Sequence, residues 1–140
     1  MTAPVVFPDA ELLAVTVLRA ALPAGTRVGT EWPDGLPAAV RQGVVSVTRG
    51  GGAVVQRDVL EDVTLDIDIL AAEKGETHDL AQLVRAHLRA AQGTRVDGAQ
   101  IYAVTDTSLI WLPYLPDAET ALIPRYVLVM QMRLRARRTV

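Results

Sequence analysis

The chain has 140 residues, half of them apolar, with 14 basic and 16 acidic side chains and a formal net charge of -2. That length supports one sizeable core, and a mean hydropathy of +0.24 argues against disorder, because ample apolar surface is available to offset chain entropy. Cysteine is absent, which excludes disulfides, thiolate nucleophiles and the usual structural zinc sites, and the acidic balance lacks the bulk charge expected of a nucleic-acid binder.

Asp9 is a good N-cap, and Leu12, Leu13, Val15, Val17, Leu18, Ala21 and Leu22 recur at helical spacing after it. This predicts a helix from Asp9 to Leu22, ended by Pro23 and Gly25. Thr26 to Thr30 fits a short strand, and Trp32-Pro33-Asp34-Gly35-Leu36-Pro37 is punctuated as a loop, with Trp32 covering a core edge. Val44 to Thr48 reads as a second strand. Gly50-Gly51-Gly52 reads as its mobile end, a hairpin tip or flexible loop near residues 50 to 53.

The clearest strand lies between Asp58 and Leu70. Val63, Leu65, Ile67 and Ile69 alternate there with Thr64, Asp66 and Asp68, which puts the aliphatics on one sheet face and the carboxylates on the other. From Thr77 to Ala91, the residues Leu80, Leu83, Val84, His87, Leu88 and Ala91 form one helical stripe, closed near Gly93. Gln100 to Leu112 reads as a strand with Ile101, Ala103 and Thr105 opposite Tyr102, Val104 and Asp106. The segment 113 to 124 reads as a proline-rich loop. In the last strand Tyr126, Leu128, Met130, Met132 and Leu134 alternate with Val127, Val129, Gln131, Arg133 and Arg135. The expected fold is a single α+β domain, a mostly antiparallel sheet of about five strands with two helices packed on one face. The other face mixes Val127 and Val129 with Gln131, Arg133, Asp66 and Asp68, a composition suited to a subunit interface.

No catalytic set emerges, and a non-enzyme is expected. His78 and His87 stand nine residues apart, too far along a helix to share a metal. Asp66 and Asp68 point the same way roughly 7 Å apart, where Glu61 or Asp62 would join them, yet no phosphate loop or partner histidine is near in sequence. The glycine run leads toward a strand and not into a helix, so it is no phosphate loop. Ser46 and Ser108 lack a nucleophile elbow. Arg133, Arg135 and Arg137, with Arg138 adjacent, are spaced to project as a row from the C-terminal strand. Such a row meets carboxylates or phosphates, or protects a sheet edge.

The element order, together with Phe7-Pro8-Asp9, the strand from Asp62 to Ile69, the helix from Thr77 to Ala91, Thr105-Asp106, Pro113-Tyr114-Leu115-Pro116-Asp117 and Pro124-Arg125-Tyr126, resembles the tail terminator proteins of actinobacterial long-tailed phages over most of the chain. The resemblance implies a virion subunit, made in the host cytoplasm. Six copies of it close into a ring that caps the head-proximal end of the tail tube, stops tube polymerisation and meets the neck. It implies no cofactor and no membrane. The partners it implies are sister copies, the tail tube protein, a neck or head-to-tail connector protein and, transiently and non-specifically, passing DNA.

Within such a ring Trp111, Tyr114, Leu115, Asp117 and Arg125 are the candidate interface residues, with Trp111 and Tyr114 alternatively closing the domain's own core. Asp66 and Asp68 are candidates for the wall of the opening, and Arg133, Arg135 and Arg137 for anchorage to acidic neighbours. A head-to-tail connector or completion subunit, a small ligand-binding module or enzyme, and a nucleic-acid-binding accessory factor are the alternative readings.

Overall fold

In the computed structural model, which describes residues 3–117 and 121–138, each predicted helix forms around its apolar stripe. Helix α1, Ala10–Ala21, is capped by Asp9, whose side chain accepts from the Leu12 amide at 3.1 Å, and it buries Leu13, Ala14, Val15 and Leu18. The longer helix, Lys74–Ala90, begins three residues before the sequence reading. The Glu73 carbonyl accepts both the Thr77 amide and the Thr77 hydroxyl there, which closes the first turn and lets Thr77 be buried. Its buried stripe is Thr77, Ala81, Val84 and Leu88. Leu83 is exposed, a correction to the predicted stripe: the face is centred on the small Ala81, which leaves Leu80 on its flank and turns Leu83 outward.

The strands in chain order are β1 (Val5–Val6), β2 (Arg27–Gly29), β3 (Val44–Gln56), β4 (Leu60–Leu70), β5 (Arg95–Val96), β6 (Ala99–Trp111), β7 (Arg125–Arg135) and β8 (Arg137–Arg138). A four-residue helix, α2 (Leu36–Ala39), precedes β3, so the long helix is α3. The fold is α+β with a six-stranded sheet in the order β2-β3-β4-β7-β6-β5 and a separate two-stranded pair, β1 with β8. Among the described residues only β2 and β3 run parallel. The expectation of about five strands and two helices falls short because β1, β5, β8 and α2 span two to four residues each, too few to carry a period.

Both long helices pack on one face of this sheet. The centre of the core is β4 against β7, where Val63, Leu65 and Ile67 register with Met132, Met130 and Leu128, all of them buried. Two β-bulges in β6 overturn its simple alternation. The register shift at Tyr102 lets Ile101 and Val104 both face the core, and the shift near Thr107 does the same for Asp106 and Leu109. Asp106 therefore meets α3, pairing with Arg85 at 2.9 Å and Arg89 at 3.5 Å, which ties the helix to the sheet.

The glycine run does not form a tip. Gly50-Gly51-Gly52 lies inside β3, and the chain reverses at Arg57 to Val59, where Asp58 takes a left-handed φ of 60°. The glycines serve close approach: a Cβ on Gly50 would strike the Asp66 carboxylate, and one on Gly52 the Asp62 carbonyl. Gly50→Ala is therefore expected to lower stability by only about 1 kcal/mol, the cost of swinging the Asp66 side chain aside. Adding Asp66→Ala should recover most of the loss, read in a denaturant double-mutant cycle. Additive losses would show that the contact is not the cause.

On the opposite face, at one end of the sheet, lies a second, smaller core. Ala39, Val40, Val44, Leu70 and Ile123 are buried there beneath Trp32, Leu36 and Tyr114. The proline-rich loop is pinned onto it by a bridge in which Tyr114 and Ile123 exchange amide-to-carbonyl bonds of 2.8 Å. The base of that loop is thus ordered. Its residues 118 to 120 lie outside the described part. Among the described residues no helix is long and apolar enough to cross a membrane.

Candidate assembly surfaces

The five residues expected at a subunit interface divide between the two sides of the sheet. Trp111 ends β6 on the helix side, half-buried, with its ring 5.1 Å from that of Tyr126 and the Lys74 ammonium 4.6 Å from its centroid. His78 closes this row with its ring 5.7 Å from Tyr126. Tyr114 sits on the other side, edge-on to Trp32 at 4.8 Å. The Arg125 guanidinium lies 5.6 Å from the Trp32 ring and 5.8 Å from that of Tyr114, and its Nε donates to the Leu112 carbonyl at 2.8 Å. Both aromatic rings therefore pack within the chain, and Arg125 clamps the loop to the strand that follows it.

Leu115 and Asp117 are exposed, and Leu115 is joined by two leucines that the sequence reading left out. Leu112, Leu115 and Leu122 are 50%, 55% and 50% exposed on one short loop. Lone exposed leucines need no explanation, but Leu115 and Leu122 both adjoin the Tyr114–Ile123 bridge and Leu112 lies two residues before it, so exposed apolar surface is concentrated on this loop. The signal was available in Leu112-Pro113 and Leu115-Pro116, where proline fixes the backbone of an apolar stretch that has no period. A second exposed apolar pair, Val54 and Val55, lies near the tip of the β3–β4 hairpin.

The carboxylates do not form one cluster. Asp66 and Asp68 share the helix-free face with Asp62, but Glu61 points to the helix side, buried, and pairs with Arg49 at 3.0 Å. Alternation along β4 dictates this: Glu61 is odd-numbered like Val63 and Leu65, so it cannot join the even-numbered aspartates. Asp68 accepts the Trp32 indole N–H at 3.0 Å and so belongs to the cover of the second core. Asp66 packs beside Gly50.

The three arginines likewise fail to form a row. Arg133 makes a two-pronged pair with Asp62 at 2.8 and 3.0 Å, and that hydrogen bond raises its pKa above the ordinary guanidinium value, so it remains charged. Arg135 donates to the Tyr102 hydroxyl at 3.0 Å. Arg137 leaves the sheet, because β7 stops at Arg135, Ala136 donates its amide to the Val59 carbonyl, and the chain re-pairs as β8 with β1.

Among the described residues no three His, Asp or Glu side chains converge as metal ligands. Two open clefts, of about 240 and 300 Å³, adjoin at Arg41 and Ala71 and are bordered by Leu122 and by Leu80 and Leu83 respectively. What the geometry offers is a sheet with one face covered by helices, the other largely open, and apolar residues exposed at two separate places. The chain matches no protein-family model, and no curated protein matches it.

Proposed function

We propose that the chain is a virion structural subunit, a tail terminator whose copies close into a ring on the head-proximal end of the tail tube and join it to the neck. The observation that supports this reading best is the pair of unlike apolar patches, Leu112, Leu115 and Leu122 on the proline-rich loop and Val54 and Val55 on the hairpin. A ring needs a heterologous contact, in which each copy presents two different surfaces, and the closing rotation sets the copy number, six in this reading. The mixed face bearing Asp66, Val127, Val129 and Gln131 is then available to the tube protein, the neck protein or passing DNA.

The experiment is to add the purified chain to polymerising tail-tube protein and image the product by electron microscopy. Capped tubes of limited length are expected. Leu115→Asp combined with Leu122→Asp should keep the circular-dichroism spectrum and weaken capping at least roughly thirty-fold, since buried apolar anchors each contribute about 2 kcal/mol or more. Tubes that grow uncapped beside the unaltered chain contradict the proposal.

A further inference from the structure

The two long outer strands of the main sheet lose their outer partners part-way along. β3 is covered by β2 only along Val44–Ser46, and β6 by β5 only along Ala99 and Gln100. Beyond each cover a side chain takes a backbone amide. The Glu11 carboxylate accepts the Arg49 N–H at 2.6 Å, and the Gln92 side-chain oxygen accepts the Val104 N–H at 3.0 Å. Past these caps, among the described residues, 50–56 pair only with β4 and 105–111 only with β7. Both strands thus end in long free edges, which are templates for further strand pairing.

The protection of these edges is confined to bulges and one inward-turned charge. There is no proline or lysine in either stretch, and no charge at all in 50–56. The lone charge in 105–111, Asp106, is turned to Arg85 and Arg89. Bulges divide the edges and leave two regular, uncapped runs of equal length, Gly51–Val54 and Ser108–Trp111. Gly51 and Gly52 add no side chain to hinder an approaching backbone, and Val54 and Ile110 are exposed apolar residues within the runs.

Direction decides the occupant. β3, β4, β7 and β6 are successively antiparallel, so β3 and β6 at the two sides of this set run in opposite directions. Gly51–Val54 stands level with Gln131–Leu134 of β7 and Ser108–Trp111 with Tyr126–Val129, so a second copy that brings its β6 beside β3 with the antiparallel alternation unbroken is also slid along the strands by about five residues, roughly 17 Å, and the ring closes with its strands tilted to its axis. We infer that Gly51–Val54 of one copy pairs with Ser108–Trp111 of the next, making one sheet continuous through the assembly. This deepens the ring reading and rests on it, by naming the two unlike surfaces that mate.

Side-chain alternation limits the register. Ala53 opposes Asp62, while Ser108 and Ile110 oppose Val129 and Val127, so all three lie on the helix-free face, and Ala53 must stand opposite one of the other two. The chain has no cysteine, so introduced ones report cleanly. Ala53→Cys combined with Ser108→Cys, or with Ile110→Cys, should on oxidation give a ladder of covalent multimers beyond the dimer. Ala53→Cys alone should give at most a trace of dimer.

In the unaltered assembly, amides of these two runs should exchange with solvent at least roughly tenfold more slowly than in dilute monomer. A ring by light scattering with no such ladder and no such protection overturns the strand pairing and leaves the ring reading standing. An efficient dimer from Ala53→Cys alone overturns it in favour of two-fold pairing of β3 with itself. A chain that is monomeric at every concentration removes the ring reading, and this inference with it.

Discussion

Ile67→Ala is expected to lower the unfolding free energy by about 3–5 kcal/mol, because the side chain is fully buried in the central strand and its loss leaves a cavity that the neighbours cannot refill. Ile67 registers with Val47 on one side and Leu128 on the other, with both long helices packed over this face. The strands on either side are themselves paired, so the sheet cannot close around the gap. For a chain of this size the midpoint of thermal unfolding should fall by roughly 10–20 °C. Ile67→Val removes one methylene and should cost about 1 kcal/mol. Similar small losses for both variants would show that this layer is not the centre of the core.

Trp32→Ala should have the next largest effect, and a different one. Its ring covers the second core edge-on to Tyr114, its indole N–H satisfies Asp68, and the Arg125 guanidinium lies over it. Removal is expected to cost about 2–3 kcal/mol, less than for a fully buried tryptophan because the residue is only half-buried. The loss should fall on the proline-rich loop. Hydrogen exchange should quicken at Tyr114 and Ile123, whose mutual bonds hold that loop, while the β4–β7 ladder stays protected. Trp32→Phe keeps an aromatic ring but loses the bond to Asp68 and part of the indole's packing, and should cost about 1–2 kcal/mol. If Trp32→Ala disturbs both cores equally, the second core is not a separate unit. In the ring reading the same variant should also assemble poorly, because Leu112, Leu115 and Leu122 lose their fixed position.

The parts of the fold that were legible in sequence are those with an uninterrupted period. α1, with Asp9 as its cap, and β4, with four alternating aliphatics, stand almost as the residues dictate. What was hidden depends on events that local pattern does not record. Gly50 to Gly52 look like a loop because glycine has little strand preference, and only the proximity of Asp66 and the Asp62 carbonyl explains why they lie in β3. The bulge at Tyr102 moves Ala103 to Asp106 by one face and the bulge near Thr107 moves the chain back, changes invisible without the partner strand.

The candidate surfaces were legible to the same degree. Trp111, Tyr114 and Arg125 border one loop in sequence, but their division between the two sides of the sheet follows from long-range pairing. The arginine row assumed that β7 continues through Ala136, whereas the amide of Ala136 is drawn to Val59 and the strand ends. Leu112 and Leu122 were passed over because residues in a loop have no alternation to mark them as buried or exposed.

Native mass spectrometry of the unaltered chain, taken from low to high micromolar concentration, tests the self-association directly. A single closed species of six copies, with no series of intermediate or larger sizes, is the predicted result. A spectrum holding one copy throughout, or an open-ended series without a preferred size, contradicts it.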